Sequence, residues 1–136
     1  MTTKVLITDY VWPSTDPERE VLEAAGIELV IAPDTSEATL VELAKDVEAI
    51  MFCFAQVTAK VLESATNCKI AARYGIGVDN VDIAKATELG IIVTNVPDYC
   101  MDEVTDHALG MILALNRRLV PHTNAVVGNG WNDVAL

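Results

Sequence analysis

The sequence predicts an α/β domain built on a five-stranded parallel sheet with helices on both faces. Three observations carry that expectation. Five short apolar runs alternate with four helical segments between residues 4 and 96, the rhythm of strand-helix-strand units with right-handed connections. The third run, Ala49–Phe54 (AIMFCF), is almost continuously apolar, the pattern of a strand covered on both faces. Glycines stand where helices should stop, at Gly26 and Gly90.

Each element follows from its own residues. Lys4–Tyr10 (KVLITDY) reads as a buried strand, and Asp16–Ala25 as a helix with an acidic first turn, ended by Gly26. A second strand is expected at Ile27–Ala32. Between Asp34 and Val47, Leu40, Leu43, Ala44 and Val47 share one face at helical spacing, with Thr35 or Ser36 as the cap. After the Ala49–Phe54 strand come a short helix at Thr58–Ser64, a strand at Lys69–Tyr74, a helix at Val81–Leu89 and a fifth strand at Ile91–Val96. In such sheets the working crevice lies beyond the carboxyl ends of the strands. Those ends are Asp9–Pro13, Pro33–Thr35, Ala55–Val57, Tyr74–Gly77 and Pro97–Cys100.

The last segment changes character. Asp102–Leu119 is expected to be one long helix, capped by Asp102, with Glu103 and Asp106 in its first turn and Arg117 and Arg118 in its last. Val104, Ala108, Met111, Ile112, Leu115 and Leu119 form a stripe, yet Leu109 and Leu113 lie off it, so the helix needs partners on more than one side. Beyond Pro121 no period is settled, and Trp131 has no evident local home.

Composition excludes several classes. The 136 residues suit one domain, burying roughly two thirds of the unfolded surface. With 51% hydrophobic and 21% charged residues, a packed core is expected rather than disorder. A net charge of −11 argues against a nucleic acid or an anionic membrane surface as partner. Small anions remain accessible only through local backbone donors or positive side chains. Cys53, Cys68 and Cys100 lack a metal spacing and there are only two histidines, so no metal site is expected. Without a signal peptide or an apolar run of membrane-spanning length, the expected setting is a reduced cytoplasm.

One motif carries chemistry. In RYGIGVDN, Arg73–Asn80, a Gly-x-Gly follows a strand and precedes a helix, and Asp98 follows about twenty residues on, where a ribose-binding acid would stand in a dinucleotide fingerprint. Asn80, however, occupies the place of the third glycine. A tight turn needing positive φ and an anion-binding nest remain open beside the nucleotide reading.

Taken together, RYGIGVDNVDIAKATELGIIVTNVPDYCMDEVTDHALGMILALNRRL, Arg73–Leu119, resembles the amino-terminal part of the D-isomer-specific 2-hydroxyacid dehydrogenases. That family includes phosphoglycerate, formate and phosphite dehydrogenases and the C-terminal-binding-protein branch, to which NVPDYC is similar. With VLITDYVWPS at the start, the likeness extends over essentially the whole chain. It implies a flavodoxin-like three-layer substrate-binding domain over residues 1–101. Residues 102–136 would then be an inter-domain helix and dimerisation arm, the start of an NAD-binding domain that lies beyond this chain. The arm of the family ends near a Gly-x-Trp, matched approximately by Gly128, Gly130 and Trp131.

The same resemblance implies substrate binding at Tyr74, Gly75, Ile76, Gly77 and Cys100, cofactor contact at Ile76 and Val104, and no catalytic residue in this chain. Neither His107 nor His122 matches the family's catalytic histidine. Tyr74 and Tyr99 are left between pocket and packing, Cys100 between pocket lining and an inert half-buried thiol, and Asp98 loses its ribose role. Asp79 and Asp82 become helix caps. The intact protein would transfer a hydride between NAD and carbon two of a small 2-hydroxy or 2-keto acid, with an arginine, a histidine and a glutamate from the absent domain and a hinge near Pro97–Glu103. The chain alone is expected to be inactive and to bind NAD weakly or not at all. A homodimer through residues 102–136 is expected. The alternative is a non-catalytic, NAD-sensing, corepressor-like binding protein. A receiver-like signalling domain shares the strand plan and an acid at Asp9, but lacks the required aspartate near Ala55 and Gln56 and the lysine at Pro97.

Overall fold

The computed structural model describes residues 2–129. The chain divides into two units, Met1–Pro97 and Asp98–Leu136. The first contains β1 (Lys4–Ile7), α1 (Asp16–Ala24), β2 (Glu28–Ile31), α2 (Glu37–Ala44), β3 (Ala49–Phe52), α3 (Ala59–Ser64), β4 (Ile70–Arg73), α4 (Ile83–Leu89) and β5 (Ile92–Thr94). The strands form one sheet in the order β2-β1-β3-β4-β5, every pair parallel. This is the flavodoxin-like order, with its switch point between β1 and β3.

The main core cluster lies on one face. Leu6, Ile50, Phe52 and Ala71 of the sheet pack with Leu40 and Ala44 of α2, Val61 and Leu62 of α3 and Ala86 of α4. The opposite face is served by α1, which buries none of its residues. A cavity of about 380 Å³ lined by Pro17, Glu18, Val21, Leu22 and Met51 lies there. β3 is covered on both faces but unequally: Ile50 and Phe52 are buried, and Ala49 and Met51 partly so.

Helix ends obey their local chemistry. Ser36 and Asp82 accept hydrogen bonds from the amides of Thr39 and Lys85, capping α2 and α4. Asp79 caps nothing, because α4 begins two residues later than its sequence suggests and Val81 instead bridges to Val57. Gly90 ends α4 at φ 73°, a left-handed conformation that a Cβ disfavours. Strands stop short of their expected carboxyl ends: β1 ends at Ile7 because Thr8 and Asp9 turn to the loop after β3.

The second unit holds α5 (Met101–Asn116) and α6 (Leu119–Asn129). The expected single helix to Leu119 is corrected in two ways. Its N-cap is Cys100, without a side-chain capping bond, so Asp102 lies inside the first turn. At the other end the amides of Arg117 and Arg118 bond to the carbonyls of Leu113 and Leu115, and Arg118 turns left-handed at φ 51°. The stretch after Pro121 that showed no settled period is helical to Asn129, since Pro121 falls in the first turn of α6, where no amide is needed. Gly130 and Trp131, on which the arm reading drew, lie outside the described residues. Among the described residues no helix is long and apolar enough to cross a membrane.

Candidate functional site

The Gly75-Ile76-Gly77 turn leaves the carboxyl end of β4, and two bonds fasten it to the chain after β5. Asn95 Nδ2 donates to the Ile76 carbonyl at 2.8 Å, and the Val96 amide donates to the Gly75 carbonyl at 3.0 Å. Among the described residues the Ile76 and Gly77 amides donate to no protein acceptor. Gly75 is buried and Gly77 exposed, and the Ile76 side chain is 44% exposed.

The turn does not need positive φ; among the described residues the left-handed glycines are Gly26 and Gly90. Gly75 leaves room for a neighbour instead. A Cβ there would stand 3.1 Å from Nη1 of Arg73, so the missing side chain makes room for the guanidinium. That guanidinium lies 6.0 and 5.7 Å from the ring centroids of Phe52 and Phe54, and its Nε and Nη1 are buried without a hydrogen-bond partner. Buried donors of a cation left unpaired are costly and favour an anion nearby. At Gly77 a Cβ would only touch the Asp79 carboxylate at 3.6 Å, an ordinary contact.

Tyr74 faces elsewhere. Its ring meets Trp12 edge-on at 4.7 Å, Trp12 meets Tyr10 at 5.9 Å, and the Tyr74 hydroxyl donates to Met51 Sδ at 3.7 Å. Burial, joined by the charge of Glu18, pushes the Tyr74 hydroxyl far above its ordinary value, so it remains protonated at neutral pH. The structure thus joins Gly75, Ile76 and Gly77 with Arg73 and Asn95, and gives Tyr74 an aromatic neighbourhood of its own. On its far side the turn borders a cavity of about 340 Å³, where Val78 and Asn95 join Ile83, Thr87, Ile91, Val93 and Thr94.

Cys100 and Val104 belong to the second unit. Cys100 is half-buried at the N-cap of α5, and Val104, one turn on, is 60% exposed. His107 is exposed on α5 and His122 half-buried on α6. No group of three or more His, Cys, Asp or Glu side chains among the described residues is arranged to hold a metal ion.

Three residues escaped the sequence reading. Asn95 and Arg73 sit in quoted motifs without an assigned role, and Asn80 counted only as a missing glycine. Its side chain instead donates to the carbonyls of Cys53 at 3.2 Å and Ala55 at 2.9 Å. For Asn95, a carboxamide directly after an apolar strand, at the crevice end of a parallel sheet, was the available signal.

The strand order and the glycine turn at the carboxyl end of β4 define a flavodoxin-like α/β module. Residues 5–133 match the model of the D-isomer specific 2-hydroxyacid dehydrogenase, catalytic domain, and the chain belongs to that family. It is 34% identical over 130 residues to D-3-phosphoglycerate dehydrogenase of Methanocaldococcus jannaschii, covering 95% of this chain and 24% of that protein. To glyoxylate reductase of Pyrococcus furiosus it is 37% identical over 93 residues, 68% of this chain and 28% of that protein. Among solved structures, D-lactate dehydrogenase of Aquifex aeolicus complexed with NAD and lactic acid superposes at TM-score 0.82 with 25% identity, over 96% of this chain and 39% of that one. NAD-dependent formate dehydrogenase of Staphylococcus aureus in complex with NAD gives 0.78 with 26% identity, over 96% and 43%. The chain therefore spans between about a quarter and three tenths of the two curated relatives named. These relatives are dehydrogenases and a reductase, which gives no support to the corepressor alternative.

Proposed function

We propose that this chain forms the substrate-side wall of an NAD-dependent D-2-hydroxyacid dehydrogenase. The observation that carries the reading is the pair of uncommitted amides at Ile76 and Gly77, fixed by Asn95 and set beside the unpaired Arg73 guanidinium. Those amides would hold the carboxylate of a small 2-hydroxy or 2-keto acid, and Arg73 would add a positive field from beneath. Bound NAD would supply the hydride acceptor or donor for carbon two of the acid. The exposed side chain of Ile76 is apolar, which suits contact with the nicotinamide end of the cofactor. The hydroxyl proton has no base in this chain under this reading, and catalysis rests on residues outside it.

Residues 1–101 are accordingly the substrate domain, with 102–136 as the inter-domain helix and dimerisation arm. The exposed Leu109, Met111, Ile112, Leu113 and Leu115 of α5 support a homodimer. Three free cysteines fit a reduced, cytoplasmic setting.

The test is a titration of ¹⁵N-labelled chain with glycolate. Saturable shifts centred on the Ile76 and Gly77 amides are expected; shifts absent or scattered over the surface overturn the site. NADH oxidation by this chain alone with glyoxylate would overturn the placing of catalysis outside it.

A further inference from the structure

The loops after β1 and β3 meet on one carboxylate. Asp9 Oδ1 accepts from the amides of Cys53 at 3.0 Å and Ala55 at 3.2 Å, and Oδ2 from Phe54 at 2.6 Å and Ala55 at 3.2 Å. The Thr8 hydroxyl adds a bond to Oδ1 at 2.7 Å. Successive amides converging on an anion make a nest. This nest stands at the β1/β3 switch point, where an open parallel sheet of this order receives its ligand. Here a side chain of the protein already fills it.

The same loop is held from its other side. Asn80 takes the carbonyls of Cys53 and Ala55, the two residues whose amides Asp9 also holds. The Val57 amide returns a bond to the Asn80 carbonyl at 2.8 Å. Asn80 lies three residues beyond Gly77, so the loop after β3 links Asp9 to the glycine turn through one carboxamide.

We propose that Asp9 is a built-in anion occupying the switch-point nest, and that it acts as a positioning residue for the Gly75–Gly77 turn through the Cys53–Ala55 loop and Asn80. An acid substrate is thereby kept out of the switch point and directed to the turn after β4. The relay rests on the proposed substrate site only in that last step; occupation of the nest does not.

Asp9→Ala in ¹⁵N-labelled chain should shift the amides of Cys53, Phe54 and Ala55, and also those of Ile76 and Gly77, while amides of the β1–β3 ladder stay in place. Formate, small enough for the vacated nest, should return the Cys53–Ala55 signals toward wild type; chloride at equal ionic strength should not, nor should formate move those three amides in the wild type. Asn80→Ala should disturb the turn without rescue by formate. Affinity for glycolate should fall about tenfold in Asp9→Ala, the scale of one lost hydrogen-bonding interaction, and recover with formate. If Asp9→Ala fails to fold, Asp9→Asn, which keeps the volume but loses the charge, should show the same pattern of shifts. Unmoved Ile76 and Gly77 amides in folded Asp9→Ala, or equal effects of formate and chloride, overturn the proposal. A wild type that ignores glycolate, with the formate rescue still seen in Asp9→Ala, overturns the substrate reading alone.

Discussion

Helix α3 is 6 residues long and buries Val61 and Leu62; α5 is 16 residues long and buries nothing. Both are rich in apolar residues, so apolar content is not what separates them. The short helix is laid on a sheet that accepts its two large side chains. The long one carries Leu109, Met111, Ile112, Leu113 and Leu115 in consecutive and off-stripe positions, and Leu115 is 79% exposed. Among the described residues, then, α3 closes a core and α5 offers a surface. Surfaces of that kind mark association sites.

The contrast can be broken first at α3. Leu62→Ala should cost about 2–5 kcal/mol, the range for a fully buried leucine, measured by urea unfolding. Leu113→Ser on α5 should leave the unfolding free energy within about 0.5 kcal/mol while shifting self-association toward monomer in sedimentation. A Leu113→Ser chain as damaged as Leu62→Ala would show that α5 is part of a core after all.

Acid should act on the first unit through Asp9. Burial would raise this carboxyl, but hydrogen bonds from Phe54, Cys53, Thr8 and Ala55 together outweigh it and hold it below the ordinary value. A carboxyl depressed in the folded state contributes stability that is full above its unfolded pKa, about 3.9, and is lost as pH falls through the lower folded value. Stability should therefore decline below about pH 4, and Asp9→Ala should flatten that decline. The variant should also cost about 1.5–3 kcal/mol at neutral pH. An unchanged acid limb in the variant would remove Asp9 from the explanation.

One substitution should have opposite signs in the two regions. Gly90→Ala forces a Cβ into a left-handed helix end and should destabilise by about 1–2 kcal/mol. Gly110→Ala, inside α5 with open space around it, should stabilise by about 0.5–1 kcal/mol. Thermal unfolding of the pair reads both. The smallest effect is chemical: iodoacetamide should label half-buried Cys100 before Cys53 and Cys68, which are buried, and burial also pushes the Cys68 thiol up.

The order of elements in the first unit was legible because periodicity, caps and stop glycines are local. Ser36, Asp82 and Gly90 act within four residues of themselves. What failed was non-local or lacked a local marker. Strand ends were read too long because Asp9 meets amides 44 to 46 residues away, which no window along the chain contains. The break at Arg117–Arg118 was invisible because arginine is a good helix former, and only the left-handed turn at Arg118 ends the helix. Of the site, Gly75–Gly77 stood out by its glycines. Asn80 did not, because its side chain serves a loop placed beside it by the sheet.

β1 lies between β2 and β3 although it precedes both in the chain. On the ribosome it can pair with β2 long before β3 has emerged, leaving one edge of the nascent sheet bare. Bare edges recruit strands from other chains. The carboxylate of Asp9 stands just past that edge, charged and hydrated until the Cys53–Ala55 amides arrive to claim it. A charge flanking an apolar strand is of the kind that disfavours such mispairing.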